Sequence, residues 1–125
     1  MQIPWTWIVL VLVVVGLIVL KQRGQVPGDD ARRLLAEGAV VIDVRSKAEF
    51  SSGHIEGAIN LPLEVVAEKI ATVAPDPDAP VFLHCMSGTR SAMAARKLRA
   101  LGYKQVFNLG SLARAGKLCE EARGK

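Results

Sequence analysis

The chain has two cysteines, Cys85 and Cys119, and only the first lies where a thiol would be activated. Cys85 directly follows the apolar run Val81-Phe82-Leu83-His84 and opens the segment Cys85-Met86-Ser87-Gly88-Thr89-Arg90-Ser91, ahead of a helical pattern. A residue between a buried strand and the start of a helix faces backbone N–H groups that have no helical partner. Those groups, together with the helix dipole, stabilise an anion. The Cys85 thiol should therefore ionise more easily than a free one, and the thiolate is the nucleophile. Gly88 lets the loop fold tightly enough for its amides to converge, Ser87 and Thr89 add hydroxyl donors, and Arg90 adds a permanent positive charge. A lone cysteine beside a strand is commonly just a small core hydrophobe. The loop that follows turns this one toward chemistry.

The elements that must position this loop can be read from periodicity. Asp29 or Asp30 caps a short helix with Ala31, Leu34 and Leu35 on its inner face, and Gly38 stops it. Ala39-Val40-Val41-Ile42, ending at Asp43, is a continuous apolar run of the kind buried on both faces of a parallel sheet. Ser46 to Gly53 reads as a short helix and turn, and 58–61 as a brief strand closed by Pro62. Val65, Val66, Ala67, Ile70 and Val73 mark a second helix, ended by Pro75, Pro77 and Pro80. Val81–His84 is a strand, about Ser91 to Leu101 a helix stopped by Gly102, Gln105–Leu109 a last strand, and Leu112 to Ala122 a terminal helix. This alternation predicts an α/β fold, a mostly parallel sheet with helices on both faces, which binds ligands at the carboxyl ends of its strands. Cys85 occupies such an end.

Taken together these segments resemble the rhodanese family. The resemblance is carried in order and spacing by Asp43-Val44-Arg45 closing a strand, Glu49-Phe50, the stretch Gly53-His54-Ile55-Glu56-Gly57-Ala58-Ile59-Asn60-Leu61-Pro62, and the Cys85 loop. It extends from about Asp29 to Leu109. It implies a rhodanese-like fold and a cysteine that attacks the outer sulfur of thiosulfate or another sulfane donor, becomes a persulfide, and passes that sulfur to cyanide or an acceptor thiol. Cys85 would then be the persulfide site, with the amides of Met86, Ser87, Gly88, Thr89 and Arg90 as the cradle and Arg90 as the anion contact. Asp43, Arg45 and Glu49 would form a supporting, paired network under the loop. Phosphatases and arsenate reductases on the same scaffold resemble it with five residues between cysteine and arginine. Here Met86 to Thr89 make four, and the shorter ring is the one associated with sulfur. Two departures stand out: Leu109-Gly110-Ser111-Leu112 replaces a Gly-Gly-aromatic turn, and Cys119 has no place in the pattern.

The N-terminal part is of a different kind. From Ile3 to Leu20 there is no charge, and Trp5 and Trp7 are placed for a headgroup boundary. The reading is a transmembrane helix over residues 1–21, a linker over 22–28 and the catalytic domain over 29–125. Nothing basic precedes the run, Lys21-Gln22-Arg23 follow it, and no polar face interrupts Val9 to Val15, which argues against a signal peptide and a surface helix. Lys21, Arg23, Arg32 and Arg33 all lie after the run, so the domain is expected on the cytoplasmic side of a single-pass membrane protein. A membrane protein partner would fit that placement.

The net charge of +4 belongs to the part after Leu20 and suits weak attraction to anionic lipid. The basic residues are scattered without interleaved aromatics, so no nucleic-acid site is expected. A reducing cytoplasm argues for two separate thiols rather than a disulfide. Cys119 reads as incidental rather than as a resolving thiol. His54 reads as a hydrogen-bonded structural residue and His84 as pointing to the face opposite Cys85, and with no second ligand at useful spacing neither suggests a metal. No cofactor is expected. Three readings of function stay open: a sulfurtransferase, a non-catalytic sulfur carrier or protein-binding module at the membrane, and a phosphatase or arsenate reductase resting on the scaffold alone.

Overall fold

A computed structural model of the chain describes residues 2–22 and 26–124. Arg23, Gly24 and Gln25 of the expected linker lie outside the described residues. The chain runs α1 (Trp5–Gln22), α2 (Gly28–Ala36), β1 (Val40–Asp43), α3 (Lys47–Ser52), β2 (Ile59–Asn60), α4 (Val66–Val73), β3 (Val81–His84), α5 (Thr89–Ala100), β4 (Val106–Gly110) and α6 (Leu112–Ala122). The four strands form one parallel sheet in the order β2-β1-β3-β4. β1 and β3 are spatial neighbours but not sequential ones. The sheet reverses its winding between them, and crevices for ligands open at such points, beyond the strands' carboxyl ends.

Each face of the sheet has its own core. Ile42, Val44 and Leu83 pack with Val66 and Ile70 of α4 and with Ala94, Ala95 and Leu98 of α5; Cys85 belongs to this cluster. Phe82 and Leu109 pack with Ala31 of α2 and with Ala115 and Leu118 of α6. The strands are mostly apolar because both faces are covered, so no polar alternation is needed.

The expected helix starts are met with one revision. Ser46 caps α3, its Oγ accepting from the Glu49 amide while the Glu49 carboxylate takes the Ser46 N–H. Neither Asp29 nor Asp30 caps α2. Pro27 precedes the helix, Gly28 begins it, and both aspartates lie in its first turn, where a carboxylate complements the exposed amides.

The expected transmembrane helix over 1–21 is also revised. Among the described residues no helix is long and apolar enough to cross a membrane. α1 has 18 residues and ends in Lys21 and Gln22. The part ahead of Lys21 rises only about 24 Å, against a hydrocarbon layer of roughly 30 Å. Its apolar side chains from Ile8 to Val19 are nevertheless exposed on all sides.

Candidate active site

β3 ends at His84, and the chain turns at once into α5. Cys85 is the hinge of that turn, 1% exposed. Its Sγ lies under the loop, where the Gly88 amide donates to it at 2.9 Å and the Ser91 hydroxyl lies at 3.5 Å. Burial alone would push this thiol up. The Ser91 hydroxyl and the amides of Ser91, Gly88 and Ser87 outweigh that cost, and the thiol falls below its ordinary range. Of the five amides expected to cradle the sulfur, those of Ser87 and Gly88 take part, and Ser91, outside that set, joins them with its amide and its hydroxyl.

Gly88 is the residue on which the ring depends. It caps α5 with φ +99°, in the left-handed region, and a Cβ there would meet Gly110 Cα at 3.3 Å. Any side chain would both strain the backbone and wedge the loop from β4. Gly110 is the other half of the contact. Its carbonyl accepts from the Cys85 amide, and Ser87 bridges to Ser111 beside it. The departure Leu109-Gly110-Ser111-Leu112 thus forms the floor of the loop, and Ser111 goes on to cap α6.

Arg90 does not hang free over the sulfur. Its guanidinium is held by both oxygens of Glu49, at 2.6 and 2.9 Å, with each side chain about a third exposed. The pairing holds the Glu49 carboxyl down at about 2 and pushes Arg90 up. Glu49 therefore works twice, as the capping residue of α3 and as the group that fixes Arg90 beside the loop.

Asp43 and Arg45 are a separate pair. Both are buried, joined by Nε and Nη2 of Arg45 to the two carboxylate oxygens at 2.7 to 3.0 Å, with Arg45 also donating to the Gly53 carbonyl. Asp43 lies opposite His84 in the parallel register, and His84 Nε2 is 3.6 Å from its Oδ2. This network lies on the sheet face opposite the Cys85 side chain. The expected single network under the loop is therefore two: Glu49 with Arg90 at the loop, and Asp43 with Arg45 and His84 behind it.

Met86, Ser87 and Thr89 expose their side chains. Among the described residues, the hydroxyl at the sulfur belongs to Ser91, not to Ser87 or Thr89. His54 is exposed, stacked on Phe50 with ring centroids 3.7 Å apart, and bonded to the Phe50 carbonyl. Cys119 is a buried free thiol that burial pushes up, on a helix covering the sheet face away from Cys85. Among the described residues no cluster of His, Cys, Asp and Glu is placed to hold a metal ion.

Two residues of the site escaped the sequence reading. Ser91 reads there only as the start of a helix, and Asn108 only as part of a strand. In the structure Ser91 Oγ reaches Asn108 Oδ1 at 2.7 Å and the Gly88 carbonyl at 3.0 Å, while Asn108 Nδ2 donates to that same carbonyl at 3.1 Å. The available signal was a polar residue inside the apolar run Val106-Phe107-Asn108-Leu109, since a buried amide must find partners.

The family model described as a rhodanese-like domain matches residues 28–113. Thiosulfate sulfurtransferase PspE of Escherichia coli (strain K12) is 42% identical over 71 residues, 57% of this chain and 68% of that protein. Thiosulfate sulfurtransferase GlpE of Pseudomonas fluorescens (strain SBW25) is 36% identical over 85 residues, 68% of this chain and 76% of that protein. Among solved structures, a rhodanese with anions from E. coli superposes with a TM-score of 0.60 at 39% identity, covering 62% of this chain and 91% of that one. A human single-domain sulfurtransferase, TSTD1, superposes with a TM-score of 0.59 at 30% identity, covering 68% and 87%. Fold, loop and relatives agree: the chain belongs to the rhodanese-like sulfurtransferase family.

Proposed function

We propose that this chain is a thiosulfate sulfurtransferase acting through a Cys85 persulfide. The Cys85 thiolate attacks the outer sulfur of thiosulfate, the S–S bond of the donor breaks, and sulfite leaves with the bonding pair. The outer sulfur stays on Cys85. An acceptor thiolate or cyanide then attacks that sulfur, takes it away, and returns Cys85 as a thiolate. The observation that carries the reading is the 2.9 Å bond from the Gly88 amide to Cys85 Sγ within a ring of only four intervening residues. Such a ring stabilises an anionic sulfur, and the fixed cation of Arg90 beside it favours an anionic donor. The intact mass of the chain after thiosulfate treatment should rise by one sulfur atom, mapped to Cys85, and cyanide should remove it as thiocyanate. A chain that takes up no sulfur would refute the assignment.

We infer further that α1 holds the chain at a membrane, with the domain on the cytoplasmic side. Support comes from an 18-residue helix with no polar face, whose apolar side chains are exposed from Ile8 to Val19 and find no cover in the domain. Basic residues follow it. On cell fractionation the full chain should sediment with membranes and resist a high-salt wash, whereas a chain beginning at Val26 should stay in the supernatant. Recovery of the full chain in the salt wash would show attachment by charge alone and count against burial of α1.

A further inference from the structure

Beside Cys85 lies a hydroxyl with more acceptors in reach than it has protons to give. The Ser91 hydroxyl has a single hydrogen and three acceptors within reach: Asn108 Oδ1 at 2.7 Å, the Gly88 carbonyl at 3.0 Å and Cys85 Sγ at 3.5 Å. The orientation of the Asn108 amide is fixed by its own neighbours. Its oxygen accepts the Gly110 N–H at 2.8 Å and its nitrogen donates to the Gly88 carbonyl at 3.1 Å. The Gly88 carbonyl also takes the Ala92 amide at 3.1 Å, the first helical bond of α5. Both oxygens that compete with sulfur for the Ser91 proton therefore have other donors. Ser91 and Asn108 are buried, so no bulk water stands ready to replace a bond that is given up.

We propose that Asn108 is a positioning residue for sulfur transfer: by satisfying the Gly88 carbonyl and the Gly110 amide itself, it frees the Ser91 proton to turn toward the sulfur of Cys85 when that sulfur becomes anionic. In the resting thiol the Ser91 hydroxyl donates to Asn108 Oδ1, its shortest contact. When Cys85 ionises, the hydroxyl rotates to Sγ, and no buried donor or acceptor is left bare, because Gly110 N–H remains on Asn108 Oδ1 and both Asn108 Nδ2 and Ala92 N–H remain on the Gly88 carbonyl. The same clamp sets the direction of the Gly88 peptide, whose neighbouring N–H points at the sulfur. It also explains the irregularity where β3 meets β4. Leu83 pairs with Asn108 but His84 pairs with Gly110, and the bond from Asn108 Oδ1 to Gly110 N–H spans the extra residue, Leu109.

This inference rests on the sulfurtransferase reading for its purpose but not for its test. The pH dependence of iodoacetamide alkylation at Cys85, read by peptide mass in the full chain held in detergent, reports the thiol itself. Asn108→Asp keeps the size and the oxygen that accepts from Gly110 and Ser91, but puts a second carboxylate oxygen where Nδ2 donated to the Gly88 carbonyl, holds the Ser91 proton and adds a negative charge. The Cys85 midpoint should move up by at least about one pH unit, so that alkylation at pH 7 slows about tenfold. Ser91→Ala should slow it about threefold, since one donor to the thiolate is lost while the amides remain. The double variant should be no slower than Asn108→Asp alone, because the aspartate has already taken the hydroxyl out of play. A merely structural role would lower the melting temperature without moving the midpoint of the folded protein. Folded Asn108→Asp and Ser91→Ala chains that alkylate with the original pH profile would overturn the proposal, and if Asn108→Asp does not fold, an unmoved midpoint in Ser91→Ala does so by itself. A shifted midpoint in a chain that takes up no sulfur would sink the sulfurtransferase reading and leave this one standing. The reverse pattern would sink this one alone.

Discussion

Cys85→Ala should bring thiocyanate formation from thiosulfate and cyanide down to the uncatalysed background while the domain stays folded. The effect on rate is total because no other group can take over the covalent step. Cys119 lies on the other face of the sheet, and its thiol is pushed up by burial, so it supplies little thiolate at neutral pH. The effect on structure is small. The substitution removes one buried atom from a site whose ring is otherwise backbone, at a cost of about 1–2 kcal/mol for the cavity left behind. Cys85 belongs to the core cluster beneath α4 and α5, so the melting temperature should fall slightly rather than collapse. The unaltered chain should show a matching pH signature. The donors of Ser91, Gly88 and Ser87 outweigh burial and lower the Cys85 thiol, so the thiolate fraction is complete at a lower pH than for a free cysteine, which ionises near about 8.5. The rate should therefore climb with pH and level off at a lower pH than the alkylation of a free cysteine does. Retained turnover in Cys85→Ala, or a plateau reached only in the range of a free thiol, would contradict the mechanism.

How much of this could be read from the sequence depends on how local each cause is. β3 and α6 fall where the sequence places them, because a four-residue apolar run and a serine cap carry their own boundaries. α5 begins two residues earlier than the periodicity suggests. Gly88 takes a left-handed conformation and caps the helix itself, so Thr89 and Arg90 are already helical. β2 shrinks to Ile59–Asn60 because it is an edge strand bonded to β1 alone. The Cys85 loop was legible as a donor ring since all its parts are consecutive. The Ser91–Asn108 bond was not, because it joins residues 17 positions apart, and only the register of β3 against β4 brings them together. That register also decides a question of sides. Asp43 and Arg45 were readable as a pair, but that they stand back to back with the cysteine follows from Asp43 lying opposite His84. Burial of the Cys85 sulfur was equally hidden, since the same loop sequence on the surface would have read no differently.

The largest loss of stability should come from Arg45→Met, and its size should depend on pH. Arg45 and Asp43 are 2% and 0% exposed, and among the described residues every polar contact of the guanidinium is with Asp43 or the Gly53 carbonyl. Removing one partner leaves a carboxylate in the interior, which typically costs about 3–5 kcal/mol, whereas a well-packed apolar replacement of both can be nearly neutral. The nearest replacement for the lost charge is His84, whose buried Nε2 has no hydrogen-bond partner among the described residues and lies 3.6 Å from Asp43 Oδ2. In the unaltered chain, burial lowers His84 more than Asp43 raises it, and Arg45 lowers it further, so His84 is held neutral. The unfolded chain takes up that proton below about pH 6.5, so the unaltered protein loses stability as pH falls through this range. Arg45→Met removes a cation that opposed protonation and leaves an anion that favours it. His84 then titrates upward, and the imidazolium satisfies Asp43 through Nε2–H and the Cys85 carbonyl through Nδ1–H, the latter now 3.3 Å away. Urea midpoints should therefore show the full loss at pH 8 and a distinctly smaller one at pH 5.5. Arg45→Met/His84→Gln tests this directly, since the pH dependence should vanish there if the imidazolium is the compensating charge. An equal loss at both pH values would mean that His84 does not answer to Asp43, and that the histidine behind Cys85 is held by packing alone.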